Sequence, residues 1–167
     1  VHVVDSAEAA ARHVGVLALV GDLRASLAGL AGYTGPAAEH EPWIAGLRDK
    51  ESAAAEADRA RLEAAATPIL PPRIYGELAR RLDRDAVVVC DGGDFVSYAG
   101  RFVSVYEPGC WLDSGPYGCL GTGMGYAIAA RVAHPGRQVA ALLGDGAAGF
   151  SLMDVDTLVR HQLPVVM

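Results

Sequence analysis

Gln138 to Gly149 reads QVAALLGDGAAG, and the fold can be worked out from this stretch in both directions. Gln138–Leu143 is an apolar run of strand length with no polar alternation, the pattern of a strand covered on both faces. Gly144-Asp145-Gly146 interrupts it at its carboxyl end. Beyond it, Ser151 to Arg160 predicts a helix with Leu152, Val155 and Leu158 inward, and Leu163–Met167 (LPVVM) predicts the next strand. Upstream, Ala86–Cys90 (AVVVC) is a second buried-type strand, broken at its carboxyl end by Asp91-Gly92-Gly93-Asp94. A glycine-rich turn at Ser114–Gly118 and a helix from Leu120 to Val132 fall between the two strands. Arg73–Arg81 predicts a helix with Ile74, Leu78 and Leu82 inward. Strands alternating with helices predict an α/β fold with a doubly wound parallel sheet. In such sheets ligands bind beyond the carboxyl ends of the strands. The acid-glycine turns at Asp91 and Asp145 both occupy that position.

Further toward the amino end, Val1–Asp5 (VHVVD) and Val14–Val20 (VGVLALV) are two more strand-like runs. Asp22 opens a helical pattern with Leu23, Leu27 and Leu30 on one face and Gly32 as its stop. Residues 1–33 therefore read as the tail of one α/β domain. Thr34–Pro42 (TGPAAEHEP) is turn-rich. Trp43 to Ala66 has the Ala, Glu and Arg content of a solvated connecting helix, ended by Pro68, Pro71 and Pro72. The expected organisation is residues 1–33 as the end of a first domain, 34–68 as linker and connecting helix, and 69–167 as the first part of a second domain. Both ends read as strand, so the chain is expected to be a piece of a longer protein.

Of the 167 residues, 51% are hydrophobic, enough for a real core. The net charge is −6, and the Lys and Arg residues are scattered, which excludes the basic footprint of a nucleic-acid binder. No apolar run is long enough to span a membrane. Cys90, Cys110 and Cys119 are odd in number and lack metal-site spacing, so free thiols in a reduced, cytoplasmic protein are expected.

Two motifs carry chemistry. Gly144 to Gly149 (GDGAAG) fits the dinucleotide pattern G-x-G-x-x-G between a strand and a helix. The ribose-binding acid would lie near positions 163 to 167, where no acid occurs, and a carboxylate inside the glycine turn would repel a pyrophosphate. Asp145 makes sense if Mg²⁺ sits between it and phosphate oxygens, with glycine N–H groups open to the same phosphates. The plainer alternative is a strand-to-helix turn with Asp145 as N-cap. Ser114 to Ala130 (SGPYGCLGTGMGYAIAA) places Gly118, Gly121, Gly123 and Gly125 within eight residues. Glycine weakens a helix start, so something requires close backbone approach there: either tight helix–sheet packing or a flat ligand lying on main chain.

In this order, the two motifs resemble the diphosphate-binding domain of thiamine-diphosphate enzymes. Acetolactate synthases carry S-G-G-L-G-(A/T)-M-G-F-G followed by a strand and G-D-G. Ser114, Gly115, Gly118, Gly121 and Gly123 fall on the first pattern, and Gly144-Asp145-Gly146 on the second. The resemblance covers Ile69 to Met167 strongly and Val1 to Tyr33 more loosely. It implies that Leu120, in place of the usual Met, wedges the two cofactor rings into a bent V. The Leu120 N–H and the Gly118 carbonyl would hold the aminopyrimidine. Asp145 would ligate Mg²⁺, Gly146 and Ala147 would offer N–H groups to the diphosphate beside Gly144, and Gly93-Asp94-Phe95 would wrap its far side. The second metal ligand, an Asn, and the Glu that activates the pyrimidine lie outside these residues, the Glu in the amino-terminal domain of a partner subunit.

Asp94 and Phe95 stand where acetolactate synthases have Gln and His, and Gly125-Tyr126-Ala127-Ile128-Ala129 leans toward oxalyl-CoA decarboxylases and 2-hydroxyacyl-CoA lyases. The resemblance implies decarboxylation of a 2-keto acid, pyruvate first, and carboligation to a second keto acid, as in branched-chain amino acid biosynthesis. It implies thiamine diphosphate and Mg²⁺ as cofactors, leaves FAD open, and implies a homodimer or homotetramer with the active site at the subunit interface. The fragment alone is expected to be inactive. The acyl-CoA branch is the first alternative, and an NAD(P)-dependent oxidoreductase the second.

Overall fold

The computed structural model describes residues 1–33 and 40–167; of the expected linker, 34–39 lie outside the described residues. The described chain divides into two compact units, Val1–Glu51 and Ser52–Met167.

In the first unit, β1 (His2–Val4) and β2 (Ala18–Val20) pair in parallel, His2 opposite Ala18. Helix α1 (Ala7–Ala11) joins them, capped by the Ser6 hydroxyl, which accepts from the Ala9 N–H. Only the end of the Val14–Val20 run is strand, because Gly15 takes a positive φ and breaks it. Helix α2 (Leu23–Gly32) begins at an Asp22 cap, as the sequence predicts. Leu23, Leu27 and Leu30 stay exposed.

A 22-residue helix, α3 (Glu41–Leu62), contains the division between the units. The second unit continues with α4 (Pro71–Ala79), whose two prolines sit at the first helical positions, where no N–H is needed. Its sheet has the order β4-β3-β5, with β3 (Val87–Asp91) in the middle, β4 (Trp111–Leu112) and β5 (Val139–Leu143) beside it, and both pairings parallel. The strand expected at 163–167 contributes a single parallel bridge, Val166 to Ala140 on β5. Every residue of β3 is buried, and its side chains alternate between two clusters. Val87 and Val89 pack with Ala127 and Ala130 of α6 (Gly123–Ala133) and with Cys110. Val88 and Cys90 pack with Tyr75 of α4 and with Ala99 of α5 (Gly93–Phe102). Helices therefore cover both faces of the sheet, as in a doubly wound fold.

Three expectations need correction. The helix expected from Ser151 starts at Asp145: α7 (Asp145–Ser151) passes through a tight turn at Leu152–Asp154 into α8 (Val155–Arg160). That turn puts Leu152 out of phase, and it is 55% exposed while Leu158 is buried. The helix expected from Leu120 starts at Gly123, because Gly121 has a φ of 91° and lies outside the helical region. Gly93-Asp94-Phe95 is not a loop but the first turn of α5.

The order β4-β3-β5 creates a crevice. From β3 the chain leaves through α5 toward β4. From β5 it leaves through α7 and α8 toward Val166, on the opposite side. The carboxyl ends of β3 and β5 thus flank a topological switch point, where open α/β sheets bind ligands.

Candidate cofactor-binding site

Three segments meet at that switch point. The end of β3 supplies Asp91 and Gly92, the approach to α6 supplies Gly118 to Gly123, and the end of β5 supplies Gly144 to Ala147. The fully buried Asp91 carboxylate accepts hydrogen bonds from the N–H of Gly121 (3.0 Å to Oδ2) and of Gly123 (2.7 Å). The Asp91 carbonyl accepts from the Gly144 N–H at 3.3 Å. The loop is also held at its start: Asp113 accepts from Trp111 Nε1 (2.9 Å) and from the Gly115 N–H (2.7 Å). A tight turn at Gly115–Tyr117 then delivers the chain to Gly118.

The glycines fall into two kinds. A Cβ at Gly121 would lie 2.7 Å from Phe150 Cβ of α7, and one at Gly123 would lie 2.7 Å from Leu143 Cδ2 and 2.8 Å from Asp91 Cβ. These two serve close packing. A Cβ at Gly118, Gly125 or Gly146 would meet nothing within 4 Å; Gly125 lies within α6, and the open space beside Gly118 and Gly146 is at the turns, where a ligand can approach. Packing and ligand access therefore share the motif.

The sequence-derived site residues are distributed accordingly. Gly118, Leu120, Asp145 and Gly146 are exposed, with Leu120 at 44%, while Ala147 is buried and Gly144 half-buried. Leu120 reaches back across the turn: its Cδ2 would lie 3.0 Å from a Cβ on Gly92, and Ala147 Cβ would lie 2.8 Å away. Leu120 and the start of α7 thus close on the same point. In α7 the Gly144 carbonyl accepts from the Ala148 N–H at 2.9 Å. The first-turn N–H groups of Asp145, Gly146 and Ala147 have no intrahelical acceptor. Gly144, not Asp145, is the N-cap; Asp145 stands in the first turn of α7, where the helix dipole also favours an acid. Gly93 and Asp94 are exposed at the start of α5, with Phe95 half-buried. An acid in the first turn of a helix is favoured by the helix dipole, which accounts for Asp94 without a ligand.

Residues 91–95, 118–123 and 144–149 contain no Lys or Arg. These turns offer an anionic diphosphate main-chain N–H groups and no Lys or Arg of their own, so a bound divalent cation fits their charge balance. Asp145 is an exposed carboxylate able to ligate it. No cluster of three His, Cys, Asp or Glu side chains able to hold a metal occurs among the described residues. One carboxylate plus ligand oxygens is the arrangement by which Mg²⁺ is commonly held.

The family model described as the thiamine pyrophosphate enzyme C-terminal binding domain matches residues 91–167, the segment that begins at Asp91 and contains all three turns. The chain belongs to the thiamine-diphosphate-dependent enzyme family. It is 53% identical over 166 residues, 98% of its length, to the acetolactate synthase large subunit IlvG of Mycobacterium tuberculosis, and equally to a probable acetolactate synthase of Mycobacterium bovis. It is 40% identical over 126 residues, 74% of its length, to 2-hydroxyacyl-CoA lyase 2 of Caenorhabditis elegans, of which it covers 20%. The chain spans 30% of the length of the acetolactate synthase relatives. Membership of the thiamine-diphosphate family displaces the nicotinamide reading of Gly144 to Gly149. No helix among the described residues is long and apolar enough to cross a membrane.

The sequence places the turn at Asp91 beyond an apolar strand but assigns no role to the side chain of Asp91 or of Asp113. The structure shows Asp91 as the buried last residue of β3, and both carboxylates hold the main chain of the loop that leads to α6.

Proposed function

We propose that the whole protein decarboxylates a 2-keto acid, pyruvate first, and joins the resulting acyl unit to a second keto acid, as an acetolactate synthase does. The observation that carries the proposal is the convergence of open main chain at Gly118 and Gly146 with the exposed carboxylate of Asp145, on turns that themselves contain no Lys or Arg. The 53% identity to acetolactate synthase relatives over nearly the whole chain supports the branch.

Thiamine diphosphate, when bound, would supply the electron sink that decarboxylation of a 2-keto acid needs. The chain's own residues bind and orient. Asp145 would ligate Mg²⁺, and the metal would offset the charge of the diphosphate. Gly146 and Ala147 would donate main-chain N–H groups to the diphosphate, and Gly93 to Phe95 would contribute from the start of α5. The Gly118 carbonyl and Leu120 N–H would hold the aminopyrimidine ring, and the Leu120 side chain would pack against the cofactor. The reading also needs a second metal ligand, an Asn, and an activating Glu, which a partner subunit would supply.

A second reading, a 2-hydroxyacyl-CoA lyase, is favoured by Asp94 and Phe95 and by the 40% identity to a relative of that name. The two separate by product analysis of the full-length protein with thiamine diphosphate and Mg²⁺. Acetolactate from pyruvate is the expected result. Turnover of a 2-hydroxyacyl-CoA with none of pyruvate would overturn it. The absorption spectrum of the purified protein reads whether FAD accompanies the other cofactors.

A further inference from the structure

Asp91 is a carboxylate with no solvent exposure at the end of the central strand; it belongs to one of the three converging segments and hydrogen-bonds to the other two. Its Oδ2 accepts the Gly121 and Gly123 N–H groups at 3.0 and 2.7 Å, and its carbonyl accepts the Gly144 N–H at 3.3 Å. A carboxylate offers acceptors only, which suits two N–H donors arriving together. The Gly121 N–H also lies 3.2 Å from Oδ1, so an Asn with its oxygen at the Oδ2 position would set an NH₂ group against that N–H. The approach is close: a Cβ on Gly123 would sit 3.0 Å from Asp91 Oδ2 and 2.8 Å from its Cβ, so glycine at 123 is a condition of the contact. Gly121 in turn lies against Phe150 of α7, where its own Cβ would come within 2.7 Å of Phe150 Cβ. Leu120 immediately precedes the first of these anchored amides, and Gly146 and Ala147 follow the third.

We propose that Asp91 is the positioning residue of the cofactor site. Through its carboxylate and carbonyl it fixes Leu120 and the loop glycines relative to the Gly144–Ala147 turn, so that the pyrimidine-contacting and diphosphate-contacting main chain are held at one spacing. Asp91 touches no ligand itself; it acts through the amides it holds. This rests on the thiamine-diphosphate reading of the site.

The test uses the full-length protein and its Asp91→Asn variant, with Gly123→Ala as the second variant because it disturbs the same contact from the other side. The first measurement is the dissociation constant of thiamine diphosphate at saturating Mg²⁺, without substrate. The second is amide hydrogen exchange in the same samples. Both variants are expected to bind the cofactor about 10–100-fold more weakly, the usual effect of removing a partner that orients ligand-contacting groups. Exchange is expected to rise at residues 118–123 and to stay unchanged in β3 and β5. A uniform rise across the sheet with unchanged affinity in the folded fraction would make Asp91 a general stability residue and overturn the proposal. If neither variant folds, the wild-type protein decides: Gly121 and Gly123 amides protected like strand amides support it, and exchange at the rate of open loops overturns it. If wild-type protein binds no thiamine diphosphate, the cofactor reading itself fails, while the exchange pattern still reports whether Asp91 holds the loop.

Discussion

The Tyr75 hydroxyl donates a hydrogen bond across 2.9 Å to the Phe95 carbonyl, tying α4 to the first turn of α5. Tyr75 is 1% exposed and lies in the cluster on one face of β3. The bond therefore anchors the helix start that carries Gly93 and Asp94. Tyr75→Phe keeps the ring packing and removes only the hydroxyl. It is expected to cost about 1 kcal/mol of stability, the net worth of one such bond. Tyr75→Ala also empties the cavity and is expected to cost about 3–5 kcal/mol. Urea unfolding of the two variants checks both values, and equal losses would show that the hydroxyl, not the ring, carries the contact.

Alkaline stability should depend on the same cluster. Burial pushes the Tyr75 hydroxyl up from 10.0 to about 12, helped by the neighbouring Cys90 and Tyr98. Burial also pushes the Cys90 thiol up from 9.0 to about 12, helped by Asp113. Both groups hold their protons more tightly in the folded chain than in the unfolded one. Their contribution is complete below pH 9.0 and is lost as pH rises toward 12, because the unfolded chain releases each proton first. Urea midpoints are expected to fall steadily through that window. Cys90→Ala should remove the part of the fall that begins near 9.0, leaving the part that begins near 10.0. An unchanged pH profile in that variant would contradict the assignment.

The sequence made β3 and β5 legible because each is an unbroken apolar run of strand length, and the acid-glycine turns after them stand out against it. Helix α5 was hidden. Its Gly92-Gly93 start reads as a loop, and its amphipathic face emerges only when Phe95, Val96, Tyr98, Ala99 and Phe102 are seen packing as one side. Strand β4 is two residues long and depends on pairing with β3 rather than on its own pattern. At the site, Asp145 and the open glycines could be read from local spacing. The role of Asp91 could not, because its partners are 30 and 32 residues away and meet it only through the parallel order of the sheet.

Cys119 offers a probe of the loop. It stands between Gly118 and Leu120 and is exposed, whereas Cys90 and Cys110 are buried. Alkylation followed by peptide mapping is expected to label Cys119 well before the other two, since access limits buried thiols. Thiamine diphosphate with Mg²⁺ is expected to slow labelling of Cys119 and leave the other two unchanged. Labelling of Cys119 at the same rate with and without cofactor would count against Gly118 and Leu120 as pyrimidine contacts.

Asp145 gives the most direct reading of the metal assignment. It is exposed at the first position of α7 and accepts no capping bond there, so its side chain contributes little to the fold. Asp145→Asn keeps the shape and removes the charge, and is expected to change the unfolding midpoint little. In the cofactor site the same change matters, because the three converging turns contain no Lys or Arg and the cation must offset the diphosphate. Loss of the carboxylate is expected to weaken thiamine-diphosphate binding at limiting Mg²⁺ by about tenfold or more, roughly 1.4 kcal/mol per factor of ten. Raising Mg²⁺ should restore part of the affinity, since the remaining ligands and the diphosphate oxygens still bind the ion. That recovery separates a lost metal ligand from a distorted turn, which would weaken binding equally at every Mg²⁺ concentration. An Asp145→Asn protein that binds the cofactor as tightly as wild type at limiting Mg²⁺ would remove Asp145 from the metal site.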